Sequence, residues 1–159
     1  MKQFEKILVP VDFAPHSGEA VRQAVDIAQH YSASITLVYV YEPADYALPE
    51  GYVLYTPDQI SLMTTEFEAR LRATRRDVEA LGVSRVDTKL LNGAASTEIV
   101  GFAEDQGIDL IVMGTHGRRG ITHMLMGSVA ERVLRTAPCP VLTVKAPGKN
   151  EKGTAHRAA

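Results

Sequence analysis

The chain has 159 residues, the size of one ordinary globular domain, and 45% of them are hydrophobic, enough to fill a core. Seventeen basic residues against 19 acidic ones leave a formal charge of -2, so no global field draws the chain to nucleic acid or to an anionic membrane. Its apolar runs, such as 7–11 and 110–113, are far shorter than the roughly 20 residues that span a bilayer, and the first contains Pro10 and ends at Asp12, unlike a secretory leader, which points to a cytoplasmic protein.

In chain order, residues 6–12 form a β-rich apolar run and residues 35–40 another, each bounded by turn residues as buried strands are. Between them Ala20, Val21, Ala24, Val25, Ala28 and Tyr31 recur at helical spacing, with Ser17 available to cap the start. The connection 42–55 is long for an αβ protein and carries Tyr46, Tyr52 and Tyr55 with Pro43 and Pro49, as a lid, a partner surface or a passive cover of the next helix would. That helix begins near Thr56, its cap, with Pro57 at the first helical position, where the missing N–H costs nothing. Ile60, Met63, Phe67, Leu71, Thr74, Val78 and Leu81 trace its buried face, and Gly82 ends it.

Residues 85–91 alternate polar and apolar, which suits an edge strand. A third helix over 96–106 stops at Gly107, and the most hydrophobic strand of the chain follows at 108–113 and belongs inside the sheet. A glycine-rich loop, a short helix over 128–135 and a last strand over 141–145 complete the alternation. Cys139 is the single cysteine, so it has no partner for an internal disulfide; set between Pro138 and Pro140, it is expected to be buried and inert. Strands alternating with helices predict an α/β fold: a doubly wound, open, parallel five-stranded sheet in the order 3-2-1-4-5, helices on both faces. Residues 1–146 then make one domain, and 147–159, without large apolar residues, a disordered tail. Ligands of such sheets bind beyond the carboxyl ends of the strands where the strand order reverses, here between strands one and four.

Strand four runs into Gly114-Thr115-His116-Gly117-Arg118-Arg119-Gly120, and Gly127-Ser128 precedes the fourth helix. Glycine at a strand end lets a ligand approach the backbone, and the N–H groups at a helix start hold an anion, most naturally a phosphate. Ser128 adds a hydroxyl at the cap position, and His116, Arg118, Arg119 and His123 add donors and positive charge. Across the crevice, the Asp12 carboxylate suits the two hydroxyls of a ribose. Read singly, each of these also has a plain role: Asp12 as a helix cap, the glycines as turns, the arginines as solvated loop residues. Neither GxxxxGK[ST] nor GxGxxG occurs.

Gly114, two residues, Gly117, nine residues and Gly127-Ser128 reproduce the G-2x-G-9x-G-[ST] motif, and the chain thereby resembles the universal stress protein family in its ATP-binding branch. The segments 6–12, 109–114 and 138–142 are similar to that family's in order and spacing, so the resemblance covers nearly the whole chain; Ala95, where the family often has proline, departs from it. The resemblance implies a binding set at three strand ends and a helix start. Pro10, Val11 and Asp12 would close strand one, with Val11 and Asp12 meeting adenine and ribose. Val40 would bond the adenine through its backbone, and Met113 would line the pocket. Gly114, His116, Gly117, Gly127, Ser128 and Val129 would surround ribose and phosphates. It also implies a homodimer, through the edge strand 141–145.

Three functions are expected. The first is a nucleotide-dependent regulatory module that binds ATP tightly without fast turnover. The second is a slow ATPase or phosphotransferase, with Asp12 holding Mg²⁺ through bridging phosphates and His116 or His123 as base; no dedicated catalytic or metal-binding residue is assigned, since no metal clamp or nucleophile-positioning residue stands out. The third is a nucleotide-independent dimeric interaction module. A Ser-His-Asp esterase is set aside, because Ser128 lacks the GxSxG elbow.

Overall fold

The runs of Ile, Leu and Val become strands because β-branched and apolar residues buried on both faces have nowhere else to go. The structure is a computed structural model that describes residues 4–42, 46–48, 51–53, 55–115 and 126–145. Its elements are β1 (Lys6–Pro10), α1 (Pro15–Tyr31), β2 (Ser34–Tyr41), β3 (Tyr46–Leu48), β4 (Gly51–Val53), α2 (Pro57–Ala80), β5 (Val86–Asn92), α3 (Ala95–Asp105), β6 (Leu110–Gly114), α4 (Ser128–Thr136) and β7 (Val141–Val144). The main sheet has five strands in the order β5-β2-β1-β6-β7, every pairing parallel. In order of appearance within that sheet, this is the expected 3-2-1-4-5. The half-polar strand β5 is one rim, in keeping with its alternation, and β6 lies inside, beside the middle strand β1.

The alternation along β1 divides the core. Ile7 and Val9 point to one face with Ile35, Leu37, Leu110 and Val112, where Ala20, Ala24 and Ala28 of α1 and Leu71 and Val78 of α2 cover them. Leu8 points to the other with Val38, Ile111 and Met113, beneath Ile99 and Ala103 of α3 and Ala130 and Val133 of α4. Ile7, Leu8, Val9 and Ile111 are fully buried, each side chain contributing about 1.5–3 kcal/mol of hydrophobic stabilisation. Small alanines let α1 lie close against the sheet, where it contacts both β6 and β7.

Local signals set most boundaries. Thr56 and Gln59 form a reciprocal capping box at the start of α2: the Gln59 N–H donates to Thr56 Oγ1 at 3.3 Å and the Thr56 N–H to Gln59 Oε1 at 2.9 Å. Gly82, just past the helix, has φ +99°, the left-handed conformation expected of its terminator.

Several expectations are corrected. Ser17 does not cap α1. The helix starts at Pro15 behind Ala14, and Ser17 lies inside its first turn, buried, donating its hydroxyl to the Ala14 carbonyl at 2.9 Å. Proline at the helix start, with its fixed φ, moves the boundary forward. Leu81 is not on the buried face of α2 but 53% exposed, because the helix ends at Ala80 and Leu81 is already its C-cap. Ser128 is the first residue of α4, and Gly127 occupies the cap. Cys139 is half-buried rather than buried, since it leads into the edge strand. The connection 42–55 contains an unforeseen antiparallel hairpin, β3 against β4. The expected tail, 147–159, lies outside the described residues.

Candidate functional site

The crevice begins where the main sheet changes direction of winding. From β1 the chain enters α1 on one face; after β6 it reaches α4 on the other. Helices leaving adjacent strands toward opposite faces part the main chain between them, opening a cleft at the carboxyl ends. The pairing of β1 with β6 ends at Leu8↔Ile111, so Asp12 and Thr115 both follow the last paired residues of neighbouring strands.

On the β1 side, Pro10 is the last residue of the strand and half-buried. The Val11 N–H donates to the Val38 carbonyl at 2.8 Å, so sheet pairing reaches one residue further. The Val11 side chain lies in the core beneath α1 and α2, which leaves its main chain as what it can offer a ligand. Asp12 is half-buried, and its Oδ1 accepts the Ala14 N–H at 3.0 Å. Asp12 does not cap α1, whose N-cap is Ala14 without a side-chain cap bond; its carboxylate instead closes a two-residue turn just before the helix. The turn depends on Phe13, whose φ of +59° is left-handed. For a residue with a side chain that conformation costs about 1–2 kcal/mol. The ring is held: it stacks on Tyr39 at 4.8 Å between centroids and 26° between planes, and the Arg70 guanidinium carbon lies 5.5 Å from its centre. A stacked pair and a cation over a ring are worth about 0.5–1.5 and 0.5–1 kcal/mol, enough to offset the backbone term.

On the β2 side, β1 accompanies the strand only to Val38, whereas β5 follows it to Tyr41. Val40 therefore stands beyond the reach of β1, half-buried against the second core cluster. Met113 belongs to the same cluster and is 5% exposed, in the core beneath α3 and α4.

On the β6 side, Gly114 pairs with Val144, and the next residue ties the motif together. The Thr115 N–H donates to the Val144 carbonyl at 3.0 Å, and the Thr115 carbonyl accepts the Gly127 N–H at 2.7 Å. The two ends of the glycine-rich segment are thus clasped through main chain. Thr115 is buried. Sequence reasoning misses it, because its contribution is a long-range main-chain bond that no local pattern of glycines and donors announces.

Gly127 carries no side chain to cap α4. The Glu131 N–H bonded to the Gly127 carbonyl at 2.9 Å closes the first turn, so the amides of Ser128, Val129 and Ala130 precede it at the positive end of the helix. Ser128 and Val129 are exposed there. The structure thus gathers Pro10, Val11, Asp12, Val40, Met113, Gly114, Gly127, Ser128 and Val129 at the carboxyl end of the main sheet. His116 and Gly117 lie outside the described residues, as do Arg118, Arg119, Gly120 and His123.

A fold and crevice of this kind define a doubly wound α/β protein with an anion-ready helix start at its switch point. Residues 3–145 match the universal stress protein family, and the chain belongs to it. It is 40% identical over 149 residues to universal stress protein MJ0531 of Methanocaldococcus jannaschii, covering 92% of this chain and 85% of that one. The structure of MJ0577 from the same organism superposes with a TM-score of 0.81 at 27% identity, covering 92% of this chain and 99% of the other. The fold is shared too with the universal stress protein from Archaeoglobus fulgidus in complex with dAMP, at a TM-score of 0.65 and 22% identity over 91% of this chain and 100% of that one.

Proposed function

We propose that this universal stress protein binds ATP across the crevice and acts as a nucleotide-dependent regulatory module of the stress response rather than as a dedicated enzyme. The observation that carries the reading is the clasp between Thr115 and Gly127, which holds the start of α4 beside the end of β6, the strand neighbouring the one that Asp12 follows. A phosphate chain is the ligand that suits three successive amides at a helix start. A ribose suits the carboxylate across from it, and an adenine suits the main chain of β2 past the end of β1. The structure of a family member of the same fold is in complex with dAMP, which supports an adenine nucleotide here.

The donor set fits the ligand in kind: amides for anions, a carboxylate for hydroxyls, and apolar Met113 and Val40 for a base. His116 and Gly117 complete the phosphate end by their place in the motif. Mg²⁺ would be held by the phosphates, with Asp12 as the nearby carboxylate, in the way the ion keeps much of its water shell. Hydrolysis, if it accompanies binding, would be slow and incidental. Within the cell we place the protein in the cytoplasm, working as a homodimer through the β7 edge and engaging neither nucleic acid nor membrane. Among the described residues, no helix is long and apolar enough to cross a bilayer. The module is the unit 1–146.

Isothermal titration with ATP tests the reading. Saturable heat at sub-millimolar nucleotide is expected, together with ATP in the extract of gently purified, denatured protein. No heat at millimolar ATP overturns it.

A further inference from the structure

Phe13 adopts a backbone conformation that a glycine would take without strain, and it does so between Asp12 and Ala14. The left-handed turn at this one residue is what swings the Ala14 N–H back onto Asp12 Oδ1. An aromatic residue in such a position needs an anchor, and the anchor comes from elsewhere in the fold. Tyr39 of β2 stacks on the ring, Arg70 of α2 lies over it, and Tyr39 is itself packed against Phe67 of α2 at 4.5 Å. Arg70 is steadied in turn by Glu66 one helical turn before it, at 3.1 Å.

We propose that Phe13 is a positioning residue: its ring, clamped between Tyr39 and Arg70, holds the left-handed turn that presents the Asp12 carboxylate to the ligand. The inference rests on the reading of Asp12 as the ribose acceptor and adds α2 to the support of the site. A backbone account and a ring account differ in what glycine would do. If only the turn matters, glycine serves as well as phenylalanine or better. If the ring holds the turn, glycine frees the carboxylate to wander.

The test compares Phe13→Gly and Phe13→Tyr in the full chain by two readouts, ATP titration and hydrogen exchange of the Ala14 amide. Phe13→Tyr keeps the ring and is expected to match the unsubstituted protein in both. Phe13→Gly is expected to weaken ATP about fivefold and to speed Ala14 exchange about tenfold, as loss of one ring stack and one cation contact implies. ATP affinity and Ala14 protection both unchanged in Phe13→Gly overturn the proposal. Should that variant not fold, Arg70→Met, which keeps the aliphatic stem and removes the cation, carries the test: faster Ala14 exchange supports the clamp, and unaltered exchange overturns it. If the unsubstituted protein fails to bind ATP, the functional reading falls, while Ala14 exchange still decides whether the ring holds the turn.

Discussion

Asp12 and Thr115 follow the ends of neighbouring strands and were legible in the sequence to very different degrees. An acidic residue closing an apolar run is a visible signal, because charge at the end of a buried strand has few structural uses. A threonine just after a strand-ending glycine is not, since what it does is accept a main-chain bond from Gly127. Phe13 was equally silent: nothing in a phenylalanine announces a positive φ, and only its packing on Tyr39 and under Arg70 makes that conformation tolerable. Asp12 also yields a separable prediction. Asn at this position keeps an oxygen for the Ala14 N–H and loses the charge offered to a ribose. Asp12→Asn is therefore expected to weaken ATP about tenfold or more, by the typical worth of a charge-assisted hydrogen bond, with little change in thermal midpoint. Titration calorimetry and a melting curve on the same sample separate the two effects.

Among the elements, the strands and helices of the main fold were readable because each has enough residues to show its period. β3 and β4 were not: three residues apiece, in a stretch with Pro43 and Pro49, are too few for alternation to emerge. Strong local chemistry makes a boundary legible. Thr56, Pro57 and Gln59 all point to the same first turn of α2, and both reciprocal bonds form. Where two signals compete, the stiffer one wins, so Pro15 and not Ser17 sets the start of α1. The capping box gives a clean measurement. Thr56→Ala is expected to lower stability by about 1 kcal/mol in urea unfolding.

For the molecule as a whole, the strand order was recoverable because right-handed crossovers leave few ways to lay alternating strands and helices into one sheet. The same order leaves a rim. β7 ends the main sheet, has Leu142 37% exposed, and among the described residues has no strand on its outer side, so its main chain can pair with a second copy. Sedimentation at micromolar concentration is expected to show a dimer, and Leu142→Lys, a charge on that rim, to shift it toward monomer while leaving ATP affinity intact.

One rod touches both addresses. α1 begins directly behind the Asp12 turn, and at 1.5 Å per residue it extends about 25 Å, passing under β6 to rest against β7. A stiff rod resting on both strands has little freedom to tilt without disturbing its packing on each of them.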